Sequence, residues 1–184
     1  RARKVSYVSS HFSHLPSLSV RELVSLGRMP FTGFLGRLTG KDQELIQRAL
    51  EEVRMETFAD RKLEHLSDGE RQRSMIARAL AQDTHVLILD EATSNLDVNH
   101  SISLLNISEK RMKQQGRTII SVMQDINLAA IYCDYLVFMS KGHIAIHGAT
   151  KDVLNSETIR RVFNIDSKVY AEPYSDSLQV VFKK

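Results

Sequence analysis

A chain of 184 residues, 42% hydrophobic and 26% charged, can bury one sizeable core and has the composition of an ordinary globular protein. A formal net charge of +3 permits weak attraction to anionic lipid or nucleic acid without arguing for it, and the absence of Trp and of any basic run offers no base-stacking platform. The single cysteine, Cys133, excludes an internal disulfide and fits a reducing compartment, and no apolar run approaches the ~20 residues of a membrane span.

In chain order, the RARK start lacks the apolar stretch of a signal peptide, and Lys4 to Ser9 reads as a strand. His11 and His14 lie in the following loop as solvated side chains. Ser19 and Glu22 form a capping box before a helix carrying Val20, Leu23 and Val24 and stopped by Gly27. Pro30 and a glycine-rich loop follow, with Phe31, Phe34 and Leu35 either docking on a partner or packing beneath the loop. The run from Gly36 to Asp42 mimics a phosphate-binding loop but is one residue short, and Asp42 stands where Ser or Thr should be. It is expected to be a loop leading into an amphipathic helix over Asp42 to Arg54, with Leu45, Ile46, Ala49, Leu50 and Val53 on one face. No G-x-x-x-x-G-K-[ST] pattern occurs, and the chain opens at Arg1 directly on a strand, so an upstream part is expected to carry that loop.

From Leu66 to Asp97 the sequence reads LSDGERQRSMIARALAQDTHVLILDEATSNLD. Ser67 and Glu70 make a second capping box, before a helix with the stripe Met75, Ile76, Ala79 and Leu80. Ser67, Asp68 and Gly69 therefore lie at a helix N-terminus, where free N–H groups attract anions; the pattern is also that of any capped helix. Val86 to Leu89 form a continuous apolar run, as in a parallel strand covered on both faces. Asp90 and Glu91 stand at its carboxyl end, where open α/β sheets bind ligands. If strand alternation holds, they point opposite ways, one carboxylate to a metal and the other to a reacting water. Asp suits Mg²⁺ and Glu suits general-base work.

Asp97 is placed to cap a helix with Ile102, Leu105 and Met112 that ends at Gly116, and Arg117 to Met123 reads as a further buried strand before Gln124 and Asp125. Tyr135 to Met139 and His143 to His147 read as two strands about a Lys141-Gly142 turn, with both histidines on one face, ~13 Å apart and unable to share an ion. Two short helices, Thr150 to Leu154 and Ser156 to Phe163, precede a hairpin of Lys168 to Glu172 and Leu178 to Phe182.

LSDGE followed by RQR, then VLILDE, then SNLD resembles the second half of the nucleotide-binding subunit of ABC transporters, most of all those of iron–siderophore, haem and cobalamin importers. The resemblance implies a P-loop NTPase-type (RecA-like) α/β fold with a parallel sheet, incomplete at the N-terminus. It divides the chain into a Q-loop strand and coupling loop (1–18), an inserted helical subdomain (19–81) and the remaining core (82–184). By the same resemblance, Leu66 to Glu70 is the signature motif, with Ser67, Asp68, Gly69 and Glu70 facing ATP. Asp90 holds Mg²⁺, Glu91 is the catalytic base, and Asp97 closes the D-loop. Ser10 stands in the place of the Q-loop glutamine and Gln124 in that of the switch histidine.

The implied protein is an ATP-hydrolysing importer subunit on the cytoplasmic face of the cell membrane. It would pair with a second ATPase subunit, with permease subunits and, through them, with a substrate-binding protein. Two other readings remain open: a catalytically impaired module completing a partner's ATP site, and a soluble ABC ATPase acting on nucleic acid.

Overall fold

The computed structural model describes residues 1–9, 17–33, 36–94 and 96–183; the loop readings at Ser10, His11, His14, Phe34 and Leu35 lie outside them. The chain divides into two compact units, Arg1–Val122 and Met123–Lys184.

The first unit is built on three parallel strands, β1 (Val5–Ser9), β2 (Val86–Asp90) and β3 (Thr118–Val122), in the order β1-β2-β3. Their register aligns Ser9, Asp90 and Val122 at one end. Between β1 and β2 lie the helices α1 (Val20–Leu26), α2 (Gly40–Glu52) and α3 (Asp68–Ala81), and α4 (Val98–Lys113) joins β2 to β3. Each of these helices has a side-chain N-cap: Ser19, Thr39, Ser67 and Asp97 respectively, the first three as full capping boxes. A cap costs ~1 kcal/mol when lost, so these boundaries are encoded locally.

Helix α2 begins two residues earlier than its apolar face predicts, because Thr39 and Asp42 form the capping box. The run that mimics a phosphate loop is thus a helix start. Asp42 is buried and accepts from Arg28 Nε at 2.8 Å, while Arg28 Nη1 donates to the carbonyls of Ala81 (3.0 Å) and Gln82 (3.2 Å). One guanidinium thereby ties the start of α2 to the end of α3. Gly27 ends α1 against α3, and a Cβ there would lie 2.3 Å from the carbonyl oxygen of Arg78. The core runs through Val20, Val24, Ile46, Leu50, Met55, Leu63, Ile76, Leu87, Leu89 and Leu104, all 3% exposed or less.

Within these 184 residues, burial in this unit differs from three expectations. Helices α3 and α4 pack on the sheet face that carries Ser6, Val8, Leu87 and Leu89. The opposite face, with Tyr7, Ile88 and Ile120 in register, is open or half-open, so β2 is fully buried on one side only. Within these residues β3 is open on the same face: Ile120 and Val122 are 53% and 49% exposed. In α4 the buried positions are Ser101, Leu104, Leu105, Ser108, Arg111 and Met112, whereas Ile102 points outward at 38% exposure.

The second unit holds α5 (Ile126–Tyr132), the hairpin β4 (Tyr135–Ser140) and β5 (His143–Ala149), the helices α6 (Thr150–Val153) and α7 (Ser156–Phe163), and the hairpin β6 (Ser167–Glu172) and β7 (Ser177–Phe182). Its core gathers Leu136, Phe138, Val153, Leu154, Ile159 and Val180. Lys141 and Gly142 both have positive φ (49° and 78°), as a type I′ hairpin turn requires. The pairing slips between Phe138 and Met139, leaving Ala145 as an extra residue in β5. That bulge interrupts the two-residue alternation. His143 pairs with Ser140, on the side of Phe138, and His147 pairs with Val137, on the side of Tyr135, so the two histidines occupy opposite faces rather than one. Among the described residues, no helix is long and apolar enough to cross a membrane.

Candidate functional site

The carboxyl end of β2 sets the first part of the site. Asp90 is the last strand residue, half-buried, and its Oδ2 accepts a 2.6 Å hydrogen bond from the Tyr7 hydroxyl on the neighbouring strand. That bond raises the Tyr7 pKa, since ionising the phenol would set a phenolate against the carboxylate.

Glu91 lies beyond the strand, in the left-handed region at φ 49°. Strand alternation therefore does not orient it, and the sequence expectation on that point is corrected. A non-glycine residue in this region costs on the order of 1 kcal/mol or more and persists only where its surroundings hold it. Here its N–H donates to Val122 O (3.2 Å) and its carbonyl accepts from the Ser94 N–H (3.0 Å) and Oγ (2.9 Å). The backbone is thus pinned from both sides while the side chain is left at the open end of the sheet.

The N-terminus of α3 is the second part. Ser67 Oγ accepts the Glu70 N–H (3.3 Å), and Glu70 Oε2 accepts the Ser67 N–H (2.8 Å) and hydroxyl (2.9 Å). The Ser67 N–H is the leading cause holding the Glu70 carboxyl below its ordinary range. Asp68 is exposed and pairs with Arg71 Nη1 at 3.1 Å. Both acids beside this anion-attracting end are therefore partnered within their own turn, and the Ser67 hydroxyl is already donating. The backbone N–H groups around Gly69 are what remains for a ligand.

The loop after Glu91 joins these parts. Buried Gln72 of α3 donates through Nε2 to Ala92 O at 2.9 Å. Asp97 caps α4, accepting the His100 N–H at 2.8 Å, and both its carboxylate oxygens lie 2.9 Å from His100 Nδ1. The backbone bond from His100 is the first cause of a lowered Asp97 pKa. The far edge of the same ring meets Gly69: a Cβ built there would lie 3.2 Å from Cδ2 and 3.4 Å from Nε2.

Asp90, Glu91, Ser67 to Glu70 and Asp97 therefore belong to one unit, with Gly69 and Asp97 in contact through His100. Gln124 belongs to the second unit, exposed ahead of α5, where Asp125 caps the helix by accepting the N–H groups of Asn127 (2.8 Å) and Leu128 (3.0 Å). Ser10 lies outside the described residues. Among the described residues no three His, Cys, Asp or Glu side chains cluster to hold a metal.

Sequence reasoning missed Tyr7, Gln72 and His100. Gln72 had a signal, since it falls on the buried stripe three and four residues before Met75 and Ile76. Tyr7 and His100 reach across strands or helices, and no local pattern marks them.

A profile of the ABC transporter family matches residues 1–94. The chain is 42% identical over 156 residues to the iron(3+)-hydroxamate import ATP-binding protein FhuC of Bacillus subtilis, covering 85% of this chain and 58% of that protein. It is 31% identical over 180 residues to the ferric enterobactin transport ATP-binding protein FepC of Escherichia coli, covering 98% of this chain and 66% of that protein. The chain thus spans less than two thirds of the length of either relative. Among solved structures, its fold matches a metal-chelate type ABC transporter in an inward-facing conformation with a TM-score of 0.87 at 24% identity, over 98% of this chain and 71% of that one. It matches the dimeric ATP-binding cassette MJ0796 bound to ADP and Pi with a TM-score of 0.70 at 27% identity, over 82% of this chain and 64% of that one. By its profile match, and with a fold shared with these cassettes, the chain belongs to the ABC transporter family.

Proposed function

We propose that this chain is the part of an ATP-hydrolysing subunit that carries the signature motif and the Asp90–Glu91 pair, and that the subunit powers import of an iron–siderophore or related metal chelate. The observation that carries the reading is the Asp90–Glu91 pair at the open carboxyl end of a parallel strand, in the same unit as the exposed N-terminus of α3. The substrate class follows the relatives, which are named for hydroxamate and enterobactin iron transport.

In this reading Asp90 would hold Mg²⁺, which would supply positive charge at the carboxyl end of β2. A carboxylate has about four lone-pair sites, so Asp90 can accept from Tyr7 and still present oxygen to a cation. Glu91 accepts the proton of the attacking water, a role worth ~10²–10⁴ in rate. Its pinned left-handed backbone supports this assignment, because a base must be held in place before it can be aimed. The Gly69 turn presents N–H groups and the positive end of α3 to the phosphates of a nucleotide held by a partner subunit. Asp97 and its loop connect the two sites, Ser10 and Gln124 occupy the Q-loop and switch positions, and residues 19–81 form the helical subdomain that passes closure to the permease. Permease subunits, a second ATPase subunit and a substrate-binding protein are the partners, and the place of work is the cytoplasmic face of the membrane. Rate acceleration would rest on positioning and charge stabilisation.

In the full-length protein, Glu91→Gln should abolish turnover and trap a dimer with ATP bound, read by gel filtration with and without nucleotide. Wild-type turnover in that variant would remove Glu91 from the role of base.

A further inference from the structure

We infer that His100 is a positioning residue that locks the Asp97 loop to the Ser67–Glu70 turn, so that the two present one rigid face. Its use in catalysis rests on the reading above; its existence rests on geometry alone.

The imidazole is held along one edge and packed along the other. On the first edge Nδ1 lies 2.9 Å from both Asp97 oxygens, and the backbone N–H of His100 donates to the same carboxylate at 2.8 Å. An ionised carboxylate only accepts, so Nδ1 carries the proton, and the Asp97 caging fixes both tautomer and ring plane. On the second edge Cδ2 and Nε2 fill the space a side chain at residue 69 would need, 3.2 and 3.4 Å from its Cβ position. A side chain at residue 69 would therefore have to push the ring of His100 aside by a few tenths of an ångström. The helix α3 is joined to the same loop a second time, by Gln72 Nε2 to Ala92 O at 2.9 Å.

These two links tie the loop to α3, while Ser101 Oγ to Thr93 O at 3.4 Å ties it to α4. Between Glu91 and α4 the described backbone bonds are short-range turns, Ser94 N–H to Glu91 O and Leu96 N–H to Thr93 O. The Asp97 carboxylate is tied to α4, whose first turn it caps, and His100 carries that tie on towards Gly69. With the imidazole between them, displacing Asp97 drags the ring, and the ring lies in the space beside the Gly69 Cα where a side chain would stand. The packed ring is a physical connection between two nucleotide-facing elements, of the kind a mutant cycle can measure.

The experiment uses the nucleotide-free full-length protein and three variants: Asp97→Ser, His100→Ala and the double variant. Serine is a good N-cap, so Asp97→Ser keeps α4 capped while losing the grip on Nδ1. The readouts are the amide shift of Gly69 and the exchange rate of the Glu70 amide, which is bonded to Ser67 Oγ. Asp97→Ser alone should shift the Gly69 amide and speed Glu70 exchange by about threefold or more, the lower range of coupling between residues in contact. In the His100→Ala background the same substitution should leave both unchanged. Additive effects in the double variant, or a Gly69 amide indifferent to Asp97→Ser, would overturn the inference. Because no nucleotide is present, a protein that fails to hydrolyse ATP would sink the catalytic reading while leaving this coupling measured.

Discussion

Replacing Arg28 by methionine tests whether the helical part is held together by one buried charge. The guanidinium side chain is 7% exposed and that of Asp42 is 8% exposed, at 2.8 Å. Arg28 also donates to Ala81 O and Gln82 O and lies 4.1 Å from the Phe31 ring centroid. Methionine keeps most of the apolar stem and removes every one of these polar contacts. Breaking a buried pair by deleting one partner costs ~3–5 kcal/mol. Asp42 retains the Thr39 N–H at 2.9 Å and hydroxyl at 2.6 Å, which argues for the lower end, ~3 kcal/mol. For a chain of this size each kcal/mol moves Tm by ~2–4 °C, so a drop of ~10 °C is expected by far-UV circular dichroism.

The acid limb gives a second readout. Thr39 first, through its hydroxyl and then its N–H, and Arg28 next, lower the Asp42 pKa to about 2. The folded value lies below the unfolded one of about 4, so this stabilisation is complete above that pH and is lost as pH falls towards 2. Thr39→Ala and Arg28→Met should each flatten that acid loss, since each removes a group that lowers the Asp42 pKa. A methionine variant within ~1 kcal/mol of wild type would show that the buried Asp42 carboxylate does not need the guanidinium, its Thr39 bonds sufficing.

Gly27→Ala should destabilise by ~1–2 kcal/mol in urea. Its φ of −59° suits alanine and would by itself gain ~0.4–1 kcal/mol, but the added Cβ overlaps the Arg78 carbonyl at 2.3 Å. An unchanged or raised midpoint would show that α1 can slide off α3 at little cost. Tyr7→Phe should raise the Mg²⁺ concentration for half-maximal turnover by ~10-fold, the lower figure for losing an outer-shell partner of a metal-holding carboxylate; an identical Mg²⁺ titration would leave Tyr7 with no role at Asp90. Gln124→His should speed ATP hydrolysis about fivefold, since a charged hydrogen bond exceeds a neutral one by ~1 kcal/mol. No gain would remove residue 124 from contact with phosphate.

The elements themselves were legible because their signals are local. Ser19-x-x-Glu22 and Ser67-x-x-Glu70 mark helix starts within four residues, and both boxes close as read. The apolar run before Asp90 is a strand, and Lys141-Gly142 is the turn of a hairpin. The Thr39–Asp42 box was equally local but was obscured by its likeness to a phosphate loop.

Residue types, caps and the order of the Ser67–Glu70, Asp90–Glu91 and Asp97 motifs were thus determined by the sequence alone, because each depends on neighbours a few positions apart. Which side of the sheet is covered, the left-handed turn at Glu91, the bulge that parts His143 from His147, the Tyr7–Asp90 bond across 83 positions and the ring of His100 on Gly69 were decided by tertiary structure. Those features depend on which surfaces meet when distant segments pack, and side-chain periodicity carries no record of the partner it will meet.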